Sequence, residues 1–262
     1  MRDVQSSNDA RGIAIQKVGV TDVHLPFQIK TQAGAFQSVL ARIRLTVDLL
    51  KEYKGTHMSR FIEALFAWSQ KPVSYREIEQ LLNDVLQRLD ARRAGVCIQF
   101  KYFIEKTAPV TGLKSILDYD CSFSGQLIQG ERLAFTLGLA VPFTSLCPCS
   151  KEIADYGAHN QRGVMRVQLR QRPGKFIWIE ELVALLEQQA SCPVFPLLKR
   201  EDEKYVTEKA YENPKFVEDV LRDMVLALRG VDGIEWFEAE CETFESIHNH
   251  NAYASHSEHC RA

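Results

Sequence analysis

From Val39 to Leu49, apolar Val39, Ala41, Ile43, Leu45, Val47 and Leu49 interleave with Arg42, Arg44, Thr46 and Asp48. Successive side chains of a strand point to opposite faces, so this period of two marks a strand with one face buried and one solvated. The alternation returns at Val96–Ile104, Leu117–Phe123, Leu133–Val141, Met165–Leu169 and Phe237–Thr243. Lys54–Thr56 and Gln129-Gly130 read as turns, and Pro173-Gly174 as a strand breaker. Short connections between neighbouring strands predict antiparallel pairing. Helical spacing fills the gaps. Phe61, Ala64, Leu65 and Trp68 make one stripe, and Ile78, Leu81, Leu82, Val85 and Leu89 make another behind Ser74, a residue suited to capping. Ile177–Gln189 is helical in pattern, and Asn213-Pro214 is expected to open a last helix, with asparagine as cap and proline in the first position.

The order strand, helix pair, strands, followed by strand, helix pair, strand, predicts one unit repeated without visible sequence repetition. The expected class is α+β, two tandem units of antiparallel sheet with helices packed on one face. Residues 1–20 lack periodicity and read as an arm. The units are expected at 21–145 and 146–262.

Composition narrows the field without redirecting it. With 262 residues, 45% apolar and 25% charged, the chain is an ordinary globular one. No apolar run approaches the roughly 18–20 residues of a membrane span, and Met1–Lys17 lacks an apolar signal core, so a cytoplasmic address and no membrane partner are expected. Seven scattered cysteines do not form a disulfide framework and read as reduced thiols. A formal charge of −2 argues against nucleic acid as a partner, though not against a local cationic pocket for a small polyanion.

Candidate chemistry concentrates late in the chain. Cys147-Pro148-Cys149 follows a strand and precedes His159, so soft sulfur and imidazole donors converge on one loop. Either thiol alone fits a strand-end core residue equally well; with His159, the pair has the donors of a catalytic metal site. His248 and His250 lie two apart after the last strand, and on a continued strand both rings face one side. His256 and His259, farther on, read as a solvated tail. The charge run Lys199-Arg200-Glu201-Asp202-Glu203-Lys204 reads as a loop that mixes cations for phosphate oxygens with carboxylates for a metal. Glu203 is the preferred acid. Glu218 borders the apolar stripe of the last helix in its first turn, where a carboxylate gains from the helix dipole and can accept two parallel N–H bonds from an amidine-like edge such as that of guanine.

These segments combine into a resemblance. The runs VPFTSLCPCSKEIADYGAHNQRG, LLKREDEKYVTEKAYENPKFVEDVLRDM and ESIHNHNAYA, together with GTHMSRF at Gly55–Phe61, resemble GTP cyclohydrolase I of type B across nearly the whole chain. Glu201 stands where proline is expected before Asp-Glu-Lys. The resemblance implies a tunnelling fold and a homotetramer with active sites at subunit interfaces. It also implies conversion of GTP and water to formate and 7,8-dihydroneopterin triphosphate, the entry to tetrahydrofolate. A divalent metal is implied too, manganese favoured over zinc or iron. In that setting Cys147 or Cys149, His159, Glu203 and His248 are expected to hold the ion, whose activated water attacks guanine C8. Cys147 is the first choice as essential thiol, and the division of labour with Cys149 stays open. Glu218 would fix the guanine edge, His248 or His250 would carry protons, and Arg60, Lys199, Arg200 and Lys204 would hold the triphosphate. Two other readings compete: a deazaguanine nitrile reductase of the same fold using a covalent cysteine thioimide, and a non-catalytic metal or redox module built on Cys147-Pro148-Cys149.

Overall fold

The computed structural model describes Gln5 and residues 7–260. The elements run β1 (Ile15–Lys30), β2 (Phe36–Leu49), α1 (Met58–Ser69), β3 (Pro72–Val73), α2 (Tyr75–Leu89), β4 (Arg93–Thr107), β5 (Lys114–Ile128), β6 (Ala134–Leu146), α3 (Pro148–Ile153), β7 (Asn160–Gln171), α4 (Ile179–Glu187), β8 (Cys192–Pro193), α5 (Arg200–Glu212), α6 (Val217–Arg229), β9 (Ile234–Thr243) and β10 (Ala252–His259). The chain divides into two compact units, Met1–Lys101 with Ser122–Thr136, and Tyr102–Cys121 with Leu137–Ala262.

In the first unit β1 pairs antiparallel with β2 and β2 with β4, while β3 lies parallel to the end of β1. The inward residues of β2 and β4 are buried, as are Phe61 and Leu65 of α1 and Ile78, Leu81, Leu82 and Val85 of α2. Each such side chain contributes about 1.5–3 kcal/mol by leaving water. Gly125 lets α2 sit close, since a Cβ there would lie 2.8 Å from Ile78 Cγ2. Ser74 caps α2 as its position predicts: its N–H and hydroxyl donate to Glu77 Oε2 at 2.9 and 2.5 Å.

In the second unit β7 pairs antiparallel with β6 and β9, β9 pairs with β10, and β8 adds to β6. Helix α6 packs on β9 and β10, burying Val220, Met224 and Leu228 in a core shared with Met165, Val167, Leu169, Phe237 and Ala239. Helix α4 is tied down by polar contacts as well. Tyr102 donates to Glu180 at 2.6 Å, Tyr119 donates to Glu187 Oε1 at 2.8 Å, and Lys106 pairs with Glu187. Antiparallel sheet with helices is therefore the observed class.

The sequence reading needs five corrections. Strand β1 begins at Ile15, inside the expected arm, of which residues 1–4 and 6 lie outside the described residues. It has no clean alternation because its register shifts twice against β2 and Asp22 takes a φ of 60°, so only Phe27 and Ile29 are buried. The charge run Lys199–Lys204 is not a loop but the N-cap and first turn of α5. Asp202 is fully buried there, accepting the N–H of Lys199 at 2.9 Å, the N–H groups of Val110 and Thr111 at 2.9 and 3.0 Å and the Thr111 hydroxyl at 2.7 Å. Asn213 ends α5 rather than opening α6, which starts at Val217 with Phe216 as N-cap. His256 and His259 belong to β10 instead of a tail. The two units are also not divided at residue 145: β4, β5 and β6 each run through both. Among the described residues no helix is long and apolar enough to cross a membrane, and all seven cysteines are free.

Candidate functional site

The last residue of β6, Leu146, pairs with the first of β7, Asn160, so the loop between them leaves and re-enters the sheet at one point. Its ends are closed by the Cys147 N–H, which donates to the His159 carbonyl at 3.1 Å. Cys147 and His159 thus occupy adjacent backbone positions. Cys147 is the N-cap of α3, with Pro148 in the first turn, and its Sγ accepts the Ser150 N–H at 3.4 Å. Ser150 turns back to accept the His159 N–H at 3.2 Å. Cys147 and His159 are half-buried, while Cys149 is exposed.

The imidazole of His159 has a defined neighbour. Its Nδ1 lies 2.9 Å from Gln161 Oε1 and 3.5 Å from Ser246 Oγ. Gln161 Nε2 donates to Glu245 Oε1 at 3.4 Å, and that oxygen also accepts the Thr243 hydroxyl at 2.9 Å. The end of β9 is therefore fastened to the start of β7, and the Phe244 N–H adds a bond to the Arg162 carbonyl at 2.9 Å.

A third segment reaches the same place. Ser145 Oγ donates to the Lys215 carbonyl at 2.9 Å and the Lys215 N–H to the Leu146 carbonyl at 3.1 Å. Lys215 Nζ is held by Asp223 and by the Gln189 carbonyl, at 2.7 and 2.8 Å. The chain thus enters α6 against the base of the cysteine loop, with Glu218 exposed in the first turn. Glu218 is near enough to the buried Cys241 to reinforce the effect of burial, which pushes that thiol up to about 12.

His248 and His250 are not on a continued strand. β9 stops at Thr243, and both lie exposed in the turn before β10. Their rings nevertheless lie together, stacked with centroids 5.1 Å apart and planes 7° from parallel. The turn is secured by Asn251, which donates to Glu242 at 2.9 Å, and by Arg166, paired with the same carboxylate at 3.0 Å. These two hold the Glu242 carboxyl below its usual range.

Of the remaining predicted residues, those of the charge run belong to α5 and its N-cap, and Arg60 to α1. Glu203 is exposed in the first turn of α5, next to Lys204, which pairs loosely with Glu208 at 3.8 Å. Lys199 and Arg200 are exposed at the start of that helix. Arg60 is on α1 in the first unit, donating to the Arg88 carbonyl at 2.9 Å. Among the described residues no three His, Cys, Asp or Glu side chains of one chain gather around a single point. Gln161, Thr243 and Glu245 carry no site role in the sequence analysis. The signal for Gln161 was its place two residues beyond His159 at the entry to β7; that for Glu245 was its place just past the last strand, since its approach depends on β9 ending at Thr243.

Residues 1–254 match the family model described as type I GTP cyclohydrolase folE2. The chain is 49% identical to GTP cyclohydrolase FolE2 of Citrifermentans bemidjiense over 97% of its own length and 94% of the relative's. It is 51% identical to the Geobacter sulfurreducens protein of that name, over 97% of each. Among solved structures, uricase from Arthrobacter globiformis aligns with a TM-score of 0.60 at 8% identity, covering 94% of this chain and 95% of that one. Urate oxidase from Bacillus sp. TB-90 aligns at 0.56 and 9%, over 94% and 100%. At such identity the likeness shows the fold alone, the tunnelling fold.

Proposed function

From the premise that this chain belongs to the type I GTP cyclohydrolase family folE2, we propose how its residues divide the work of turning GTP into formate and 7,8-dihydroneopterin triphosphate. The chain is a GTP cyclohydrolase of folate biosynthesis, and the observation that carries this is identity near 50% along almost its full length. That identity leaves the nitrile-reductase and redox-module readings without support.

In this reading Cys147, His159, Glu203 and His248 hold a divalent ion, manganese ahead of zinc or iron. The donors suit it: a soft sulfur and an imidazole from the residues joined by the Cys147–His159 backbone bond, with a carboxylate and a second imidazole from exposed positions. Bound there, the ion supplies Lewis acidity that brings water to a useful nucleophilicity near neutral pH. Glu218 accepts the N1–H and exocyclic amine of guanine, turning C8 toward the cysteine loop. His250, stacked on His248, carries protons as the imidazole ring of the base opens and formate leaves. Cys149, exposed one residue past Pro148, is the thiol free to act on the substrate side. Arg60, Lys199, Arg200 and Lys204 neutralise the triphosphate.

The site is completed between subunits of a cytoplasmic homotetramer. Ile153 and Tyr156 at the tip of the cysteine loop are 84% and 93% exposed, and Phe216, Phe244 and Ile247 are exposed on the neighbouring segments. Apolar side chains around a polar site are the kind of surface that a second chain covers. The test is formate release and pterin fluorescence after oxidation, with purified protein, manganese and GTP. Cys147→Ala and Glu218→Ala should each lower kcat/KM at least a hundredfold; full turnover in either refutes its assigned role.

A further inference from the structure

We infer that Glu245, acting through Gln161, sets which nitrogen of His159 carries the proton, so that both are positioning residues for this imidazole. The argument needs only donor and acceptor chemistry. A carboxylate has no hydrogen to give, so the group of Gln161 that faces Glu245 Oε1 must be its NH2. The carboxamide oxygen is then the atom 2.9 Å from His159 Nδ1, and an oxygen without a hydrogen can only accept. The proton therefore sits on Nδ1 and the lone pair on Nε2.

Two features hold the relay in its direction, and a third leaves it unopposed. Gln161 is buried, which limits the competition of water for its carboxamide. Thr243, 1% exposed, spends its only hydrogen on Glu245 and fixes the carboxylate in place. Ser246 Oγ, at 3.5 Å from Nδ1, can donate or accept and so does not decide the polarity. The consequence for metal binding rests on the reading of His159 as a ligand: an imidazole presenting a bare Nε2 binds an ion without first losing or moving a proton.

The test separates polarity from packing. Histidine-15N spectra of the metal-free protein, recorded by magic-angle spinning, report the tautomer directly, and the His159 signals are identified by their loss in His159→Ala. Wild type should show a protonated Nδ1 and a bare Nε2. Glu245→Gln, which can donate as well as accept, should give mixed tautomers, and Gln161→Leu should release Nδ1 altogether. The exchanged pair Gln161→Glu with Glu245→Gln keeps the shape, puts the carboxylate beside His159 and should restore the wild-type pattern. Manganese affinity by chelator competition should fall roughly 10–100-fold in the single variants and recover in the exchanged pair. A wild-type tautomer in Glu245→Gln, or no recovery in the exchanged pair, overturns the inference. Manganese affinity unchanged in all variants while the tautomers shift as stated would instead remove His159 from the metal set and leave the relay standing.

Discussion

Replacing Gly163 by alanine should destabilise the protein at the strand that enters the site. A Cβ there would lie 2.5 and 2.6 Å from Phe143 Cε1 and Cζ and 2.6 Å from the Glu242 carbonyl oxygen. Two terms oppose each other. Gly163 is not among the glycines of positive φ, so alanine brings its usual conformational advantage of roughly 0.5–1 kcal/mol. Overpacking a filled core costs about 1–3 kcal/mol, and the upper end applies because one obstacle is the backbone of β9 and the other a ring with no exposed surface. The clash therefore wins, by about 1–2 kcal/mol, or roughly 2–8 °C in melting temperature for a chain of this size. The assay is thermal unfolding at fixed protein concentration, run as a cycle with Phe143→Leu. Removing ring atoms should make the second substitution cheaper in company than alone, with a coupling of about 0.5–3 kcal/mol. Gly163→Ala melting at or above wild type would refute the close approach, and strict additivity would show that the ring is not the obstacle. Because Gly163 lies two residues from Gln161, kcat/KM should fall along with stability.

Two further predictions concern polar anchors. Glu187→Ala leaves the Lys106 ammonium and the Tyr119 phenol without their acceptor in a site where the pair's side chains are 14% and 9% exposed, and should cost about 3–5 kcal/mol in urea unfolding; a loss under about 1 kcal/mol would mean that water reaches Lys106. Glu258, gripped by Arg229 through two bonds of 2.7 Å and by His256 at 3.0 Å, has its carboxyl drawn from 4.5 to about 2, chiefly by Arg229. A lowered carboxyl stabilises the fold above pH 4.5 and loses that contribution as pH falls toward about 2. The melting-temperature gap between wild type and Glu258→Gln should accordingly be constant from pH 7 to 5 and shrink below 4.5; a gap independent of pH would assign the effect to packing.

What could be read in the sequence was whatever one local rule controlled. Strands with one buried face announced themselves, as β2, β4, β6, β7 and β9 did, and so did helices with a continuous apolar stripe. Strand β1 was hidden because two register shifts spoil its period, and α5 because a helix capped by a buried aspartate looks like a solvated charge run until Val110 and Thr111 are seen against Asp202. The loop of Cys147 and His159 was legible from residue types and spacing. Its support was not, since Gln161 and Glu245 meet across strands that only the fold brings together.

The passage of β4, β5 and β6 through both compact units bears on how the chain is made. Lys106 and Tyr119 wait for Glu187, which lies 81 and 68 residues farther along. At ribosomal speeds of about 5–20 residues per second the longer wait is roughly 4–16 s. During that interval an ammonium on β4 and a phenol on β5, both destined for burial, stand on strands that also have a part in the first unit. The growing protein thus cannot finish one half before starting the next.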